Sequence, residues 1–163
     1  DDGYGVAVDT SGGIYVTGYT YGGLDGNTNA GGGLPDMFLV KYLSDGGKEW
    51  TRQLGTTATD DGFGVAVDTS GAIYVAGFTT GALDGNPIVG NYDAFLVKYL
   101  SDGGKEWTRQ TGTSVYDDGY GVAVDTSGGI YVTGNTTGGF DGNTNAGAFD
   151  VFVVKYDADG GKQ

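Results

Sequence analysis

Apolar residues in this chain come in short bursts, each cut off by glycine, aspartate, serine or asparagine, and none sustains a helical period. Over the first fifty-odd residues the bursts predict four strands. Strand A runs from Tyr4 to Asp9, strand B from Ile14 to Thr20, strand C from Met37 to Tyr42 and strand D from Lys48 to Leu54. The links Thr10-Ser11-Gly12-Gly13 and Leu43-Ser44-Asp45-Gly46-Gly47 suit hairpins that need positive φ. The product is a four-stranded antiparallel meander. In strand C, Phe38, Val40 and Tyr42 point one way while Met37 and Leu39 point the other. A sheet with one wet face would alternate apolar with polar, so this pattern predicts neighbours on both faces.

The same pattern recurs three times, at residues 1–59, 60–116 and 117–163, opening DDGYGVAVDTSGGIYVTG, DDGFGVAVDTSGAIYVAG and DDGYGVAVDTSGGIYVTG. Val40 to Gln53 is identical to Val97 to Gln110. Strand A is rich in small residues (Gly5, Val6, Ala7, Val8), as expected beside a crowded axis. Radial repetition of four-stranded blades makes the fold class an all-β propeller. The third unit ends at Lys162-Gln163, before a fourth strand develops, so the pattern predicts eleven strands in an open arc of three blades.

Composition narrows the chemistry. With no cysteine and no histidine among 163 residues, there is no disulfide framework, zinc finger, cysteine nucleophile or Ser-His-Asp triad. A net charge of −13 opposes nucleic-acid binding, and no apolar run is long enough to span a membrane as a helix. Glutamate occurs only at Glu49 and Glu106; the other acids are aspartates, which belong at corners. The chain opens at Asp1 without Met or a signal-like segment, which reads as a mature product or an excerpt.

The run D-x-SG-x-IYV-x-G, then LDGNTNAG, D-x-F-(L/V)-VKY, DGGK and EWTRQ-x-GT, in fixed order along the chain, resembles the bacterial β-propeller repeat known as SBBP. The resemblance implies a secreted or cell-surface propeller of bacterial or archaeal type, without general enzymatic activity or defined catalytic residues; no cofactor is expected to be required, with calcium as the one candidate.

An open arc leaves the outer faces of the first and third blades bare. Val151, Phe152, Val153, Val154 and Tyr156 then form an apolar edge that recruits further blades, from the same longer chain or from other copies in a ring or filament. The A-to-B and C-to-D links are nearly invariant among the units, whereas the B-to-C and D-to-A links vary, and both variable sets fall at one end. That end is the candidate binding face for a glycan or cell-surface ligand, through Tyr19, Tyr21, Phe78, Tyr92, Asn135 and Phe149.

Asp25, Asn27 and Asn29 alternate as the first oxygens of a calcium loop do, with counterparts Asp84 and Asn86, and Asp141, Asn143 and Asn145. The same side chains equally suit Asx turns that cap their own backbone. The paired acids Asp1-Asp2, Asp60-Asp61 and Asp117-Asp118 recur once per unit, as turn elements do and as an active site does not. The expected function is a non-catalytic interaction module, with a calcium-dependent or lectin-like module as the alternative.

Overall fold

The computed structural model describes all 163 residues. It holds eleven strands: β1 (Asp2–Val8), β2 (Ile14–Thr20), β3 (Asp36–Tyr42), β4 (Lys48–Leu54), β5 (Asp60–Val67), β6 (Ile73–Thr79), β7 (Asp93–Tyr99), β8 (Lys105–Thr111), β9 (Asp117–Val124), β10 (Ile130–Thr136) and β11 (Asp150–Tyr156). Each sheet is an antiparallel meander, ordered β1-β2-β3-β4, β5-β6-β7-β8 and β9-β10-β11. Strands B and D lie where the pattern puts them. Strands A and C start earlier than predicted, at Asp2 and Asp36, because these aspartates extend the ladders against Tyr19 and Thr20. Asp9 lies outside strand A. Its Oδ1 accepts from the Ser11 amide and hydroxyl and the Gly13 amide, while Oδ2 accepts from the Tyr15 hydroxyl. The Ser11 hydroxyl leads in holding the Asp9 carboxyl down to about 2. Asp68 and Asp125 repeat this turn, which explains its invariance.

The cores lie between sheets. Tyr15, Met37 and Leu39 of the first sheet pack on Val65, Ile73, Val75, Phe95, Val97 and Tyr99 of the second. Tyr74, Ala76, Ala94 and Leu96 on the opposite side of the second sheet pack on Ile130, Val132, Phe152, Val154 and Tyr156 of the third. Thus both faces of strand C are buried in the second sheet, as the two-sided apolar pattern requires. The strand-A backbones nearly touch: a Cβ on Gly5 would lie 2.5 Å from the Phe63 carbonyl oxygen, and one on Gly64 would lie 2.8 Å from that of Tyr120.

Each joint is also clasped at the C-to-D end. Arg52 donates from Nε to the Gly103 carbonyl (2.8 Å) and from a terminal nitrogen to that of Asp102 (3.1 Å). Arg109 does the same to Gly160 and Asp159, both at 2.8 Å. Their guanidiniums lie 5.0 Å over the rings of Trp50 and Trp107, so these tryptophans belong to the joints. A hydrogen bond from a charged donor contributes about 1.5–3 kcal/mol, and the partial exposure of this pair brings their joint contribution to about the same. We expect Arg109→Ala to lower stability in urea by about that much, and Arg109→Lys to recover less than half of it, because lysine has no fork for two carbonyls.

Candidate functional site

The candidate site starts from a defect in the ladders. In every strand A one residue has no partner on strand B: Tyr4, between Gly3 and Gly5; Phe63, between Gly62 and Gly64; and Tyr120, between Gly119 and Gly121. A bulge kinks its strand and re-aims the extra side chain. Glycines on both sides permit the close approaches that the bulge and the neighbouring blade impose.

The three bulge rings meet across the blades. Phe63 stands edge-on to Tyr4 at 5.0 Å and to Tyr120 at 5.3 Å. From Tyr4 one spoke runs outward through Tyr19 (5.6 Å, stacked) to Tyr21 (5.8 Å, edge-on). From Phe63 a second runs through Phe78 (5.8 Å) and Tyr92 (4.8 Å, nearly parallel) to Tyr116 (4.9 Å, edge-on). Tyr116 is positioned by a single bridge to Tyr92, which joins the D-to-A and B-to-C links. Eight rings form one continuous surface at the variable-loop end, with Tyr4, Tyr21, Tyr116 and Tyr120 exposed.

The structure therefore joins Tyr19 to Tyr21 and Phe78 to Tyr92. Asn135 occupies the Phe78 position beside Tyr120, with its Oδ1 buried and unpartnered, whereas Phe149 is exposed without a ring partner. Sequence reading missed Tyr4, Phe63, Tyr116 and Tyr120. For the three bulge residues the signal was present, an aromatic between two glycines at the same place in every unit.

A carboxylate accompanies the rings in each blade. Asp2, Asp61 and Asp118 lie directly across the A–B pair from Tyr19, Phe78 and Asn135. Asp2 is exposed, and the Tyr4 hydroxyl, burial and the charge on Asp2 together raise the Tyr19 phenol. Asp61 and Asp118 are 9% and 8% exposed, and the Oδ1 of each is buried without a hydrogen-bond partner. Burial, reinforced by Asp60, pushes the Asp61 carboxyl up to about 7; burial and Asp117 raise Asp118 against the opposing pull of the Tyr120 hydroxyl.

The calcium-loop candidates have other partners. Asp25, Asp84 and Asp141 adopt positive φ near 52° and pair with Lys48, Lys105 and Lys162. Asp25 and Asp84 also accept from Thr51 and Thr108, and Lys48 leads in lowering the Asp25 carboxyl. The amides of Asn27, Asn86 and Asn143 donate to the carbonyls of Leu24, Leu83 and Phe140. Those of Asn29 and Asn145 donate to the carbonyls of Thr20 and Thr136. A calcium ion at Asp25 would have to displace the Lys48 ammonium; an EDTA-reversible rise in Tm with millimolar Ca²⁺ measures that exchange.

At the edge strand β11, Val151 and Val153 face outward, while Phe152, Val154 and Tyr156 are buried against the second sheet.

Three radially packed meanders in an open arc, with a loop face at one end, define a β-propeller segment. The chain belongs to the SBBP family, the beta-propeller repeat, which matches residues 1–25, 49–83 and 106–141. It is also similar to the regulatory protein FlaEY of Caulobacter vibrioides, at 29% identity over 167 aligned residues. That alignment covers 93% of this chain and 18% of the relative, so the chain spans less than a fifth of that protein's length.

Proposed function

We propose that the chain is a non-catalytic interaction module, acting at the cell surface or outside the cell, which packs with further blades and presents its loop end to a ligand. The observation that carries this reading is the contrast between made and unmade joints. Val65, on the first-sheet side of the second blade, is 9% exposed, whereas its counterpart Val6 in the first blade is 67% exposed. Leu39 and Leu96 are buried at the two joints, whereas their counterpart Val153 is 66% exposed. Because the repeats are nearly identical, the bare face of the third blade suits the bare face of the first. A contact of that kind is heterologous and either closes a ring or propagates.

The third sheet also holds the groups that receive a strand D. Gln53 donates to the Gly22 carbonyl and to Asp36 and accepts from the Leu24 amide, and Gln110 repeats these contacts at Gly81, Asp93 and Leu83. Gly138, Asp150 and Phe140 present the same groups along a groove of 370 Å³ beside β11. The description of FlaEY as a regulatory protein accords with a module that works by contact.

Light scattering, with electron microscopy of the same sample, tests the reading. We expect a discrete assembly or a filament at micromolar concentration, and Val151→Asp combined with Val153→Asp should dissociate it. A stable, soluble monomer that keeps its mass at high concentration would overturn packing between copies.

A further inference from the structure

We propose that the aromatic surface is a docking face for a cationic polypeptide segment, whose lysine or arginine side chains sit over the rings and against Asp61 and Asp118. This deepens the reading above and rests on it only in taking the loop end as the recognition face.

Charge distribution favours this occupant. The side-chain cations of the chain are all in strands C and D or the start of a fourth strand. Lys41 and Lys98 pair with Glu49 and Glu106, and Lys48, Lys105 and Lys162 pair with Asp25, Asp84 and Asp141. Arg52 and Arg109 clasp the next blade, and Lys155 covers Tyr131. None is placed among the eight rings. Elsewhere the chain covers its own aromatics with cations, as Arg52 covers Trp50, Arg109 covers Trp107 and Lys162 covers Phe140, each at 5.0 Å. The eight-ring surface combines exposed aromatic area with carboxylates and no side-chain cation. There, two carboxylates more than nine-tenths buried each retain an oxygen without a donor.

A lysine or arginine supplies both missing elements, a charge over the rings and a counter-charge beside the two carboxylates. A sugar brings donors but no charge to answer two carboxylates. Size favours a chain over a small cation. Neighbouring ring centroids lie 5.0 to 5.8 Å apart in a series from Tyr21 of the first blade to Tyr120 of the third, a length of surface that a chain covers and one small cation does not.

The test is calorimetric titration at pH 8 and about 0.15 M salt, where non-specific attraction is screened, with a blocked hexa-arginine peptide and its uncharged hexa-citrulline counterpart. The arginine peptide should bind at least about tenfold more tightly. Phe78→Ala with Tyr92→Ala should weaken it about tenfold, and Asp61→Asn about fivefold. Asp45→Asn with Asp102→Asn, which removes twice the charge from exposed turns at the opposite end, should change Kd less than about twofold. Circular dichroism confirms folding, and Asp61→Asn is an independent probe should the double aromatic variant unfold. Equal binding of the citrulline peptide, equal loss in the turn variants, or no binding of either peptide overturns the proposal. None of these outcomes bears on the assembly mass, so the reading of the module as a blade-packing unit stands or falls separately.

Discussion

Gly77→Ala should destabilise the fold severely, although it adds a single methyl group. Gly77 lies on β6, opposite Gly62 on one side and Phe95 on the other. A Cβ there would sit 1.9 Å from the Asp61 carbonyl oxygen and 2.6 Å from the Phe95 ring. The Phe95 ring belongs to the packed core of the first joint, and the carbonyl belongs to the bulge that projects Phe63, so neither can yield alone. Gly18 and Gly134 occupy the same place in the other sheets, with Cβ positions 1.9 and 1.8 Å from the carbonyls of Asp2 and Asp118. Ordinary overpacking costs about 1–3 kcal/mol because side chains shift. Here the backbone must move, so the expected loss exceeds about 4 kcal/mol, against a total stability of about 5–15 kcal/mol. Thermal and urea melts should show a Tm lowered by more than about 10 °C or no native baseline. Gly22→Ala is the control, since nothing lies within 4 Å of its Cβ position, and its melt should match the parent. An unchanged Tm for Gly77→Ala would mean that the bulge is pliable and does not fix the aromatic face.

The same bulge marks the limit of what could be read from the sequence. The meander was legible because strand periodicity and the Asp-Thr-Ser-Gly and Asp-Gly-Gly turns are local features, and three copies of each removed ambiguity. Burial on both faces of strand C was legible because Met37 and Leu39 alternate with Phe38 and Val40. The ring surface was only partly legible. Tyr19, Tyr21, Phe78 and Tyr92 stood out as loop-end variation between units, whereas Tyr4, Phe63 and Tyr120 looked like ordinary strand residues. A regular strand would have turned them into a joint. The unpaired position instead aims them to where one blade's ring meets the next, a relation between sheets that no single repeat encodes. The clasp by Arg52 and Arg109 was hidden for the same reason, since its acceptors are carbonyls about fifty residues later in the chain.

Asp61→Asn should make the protein more stable, and increasingly so as pH rises. In the folded state, burial and the neighbouring Asp60 hold the Asp61 carboxyl at about 7, against 3.8 for the ordinary group. At pH values between these two, the folded chain keeps a proton that the unfolded chain has released. The unfolded state then binds fewer protons, so stability falls with each step in pH from about 4 to about 7 and is level outside that window. A shift of about three units corresponds to at most about 4 kcal/mol. Partial screening by water at the sheet end reduces this, and we expect about 1–2 kcal/mol. Asparagine keeps the shape without ever carrying the charge. Its advantage should therefore be nil at pH 4 and full at pH 8, where Tm rises by roughly 2–8 °C. An advantage of equal size at both pH values would place its origin in packing, and none at pH 8 would mean that the carboxylate already has a partner. Together with weaker binding of the arginine peptide, a gain confined to high pH would show that a carboxylate unfavourable to the fold is one the ligand uses, a conflict common where a site needs an unsatisfied group.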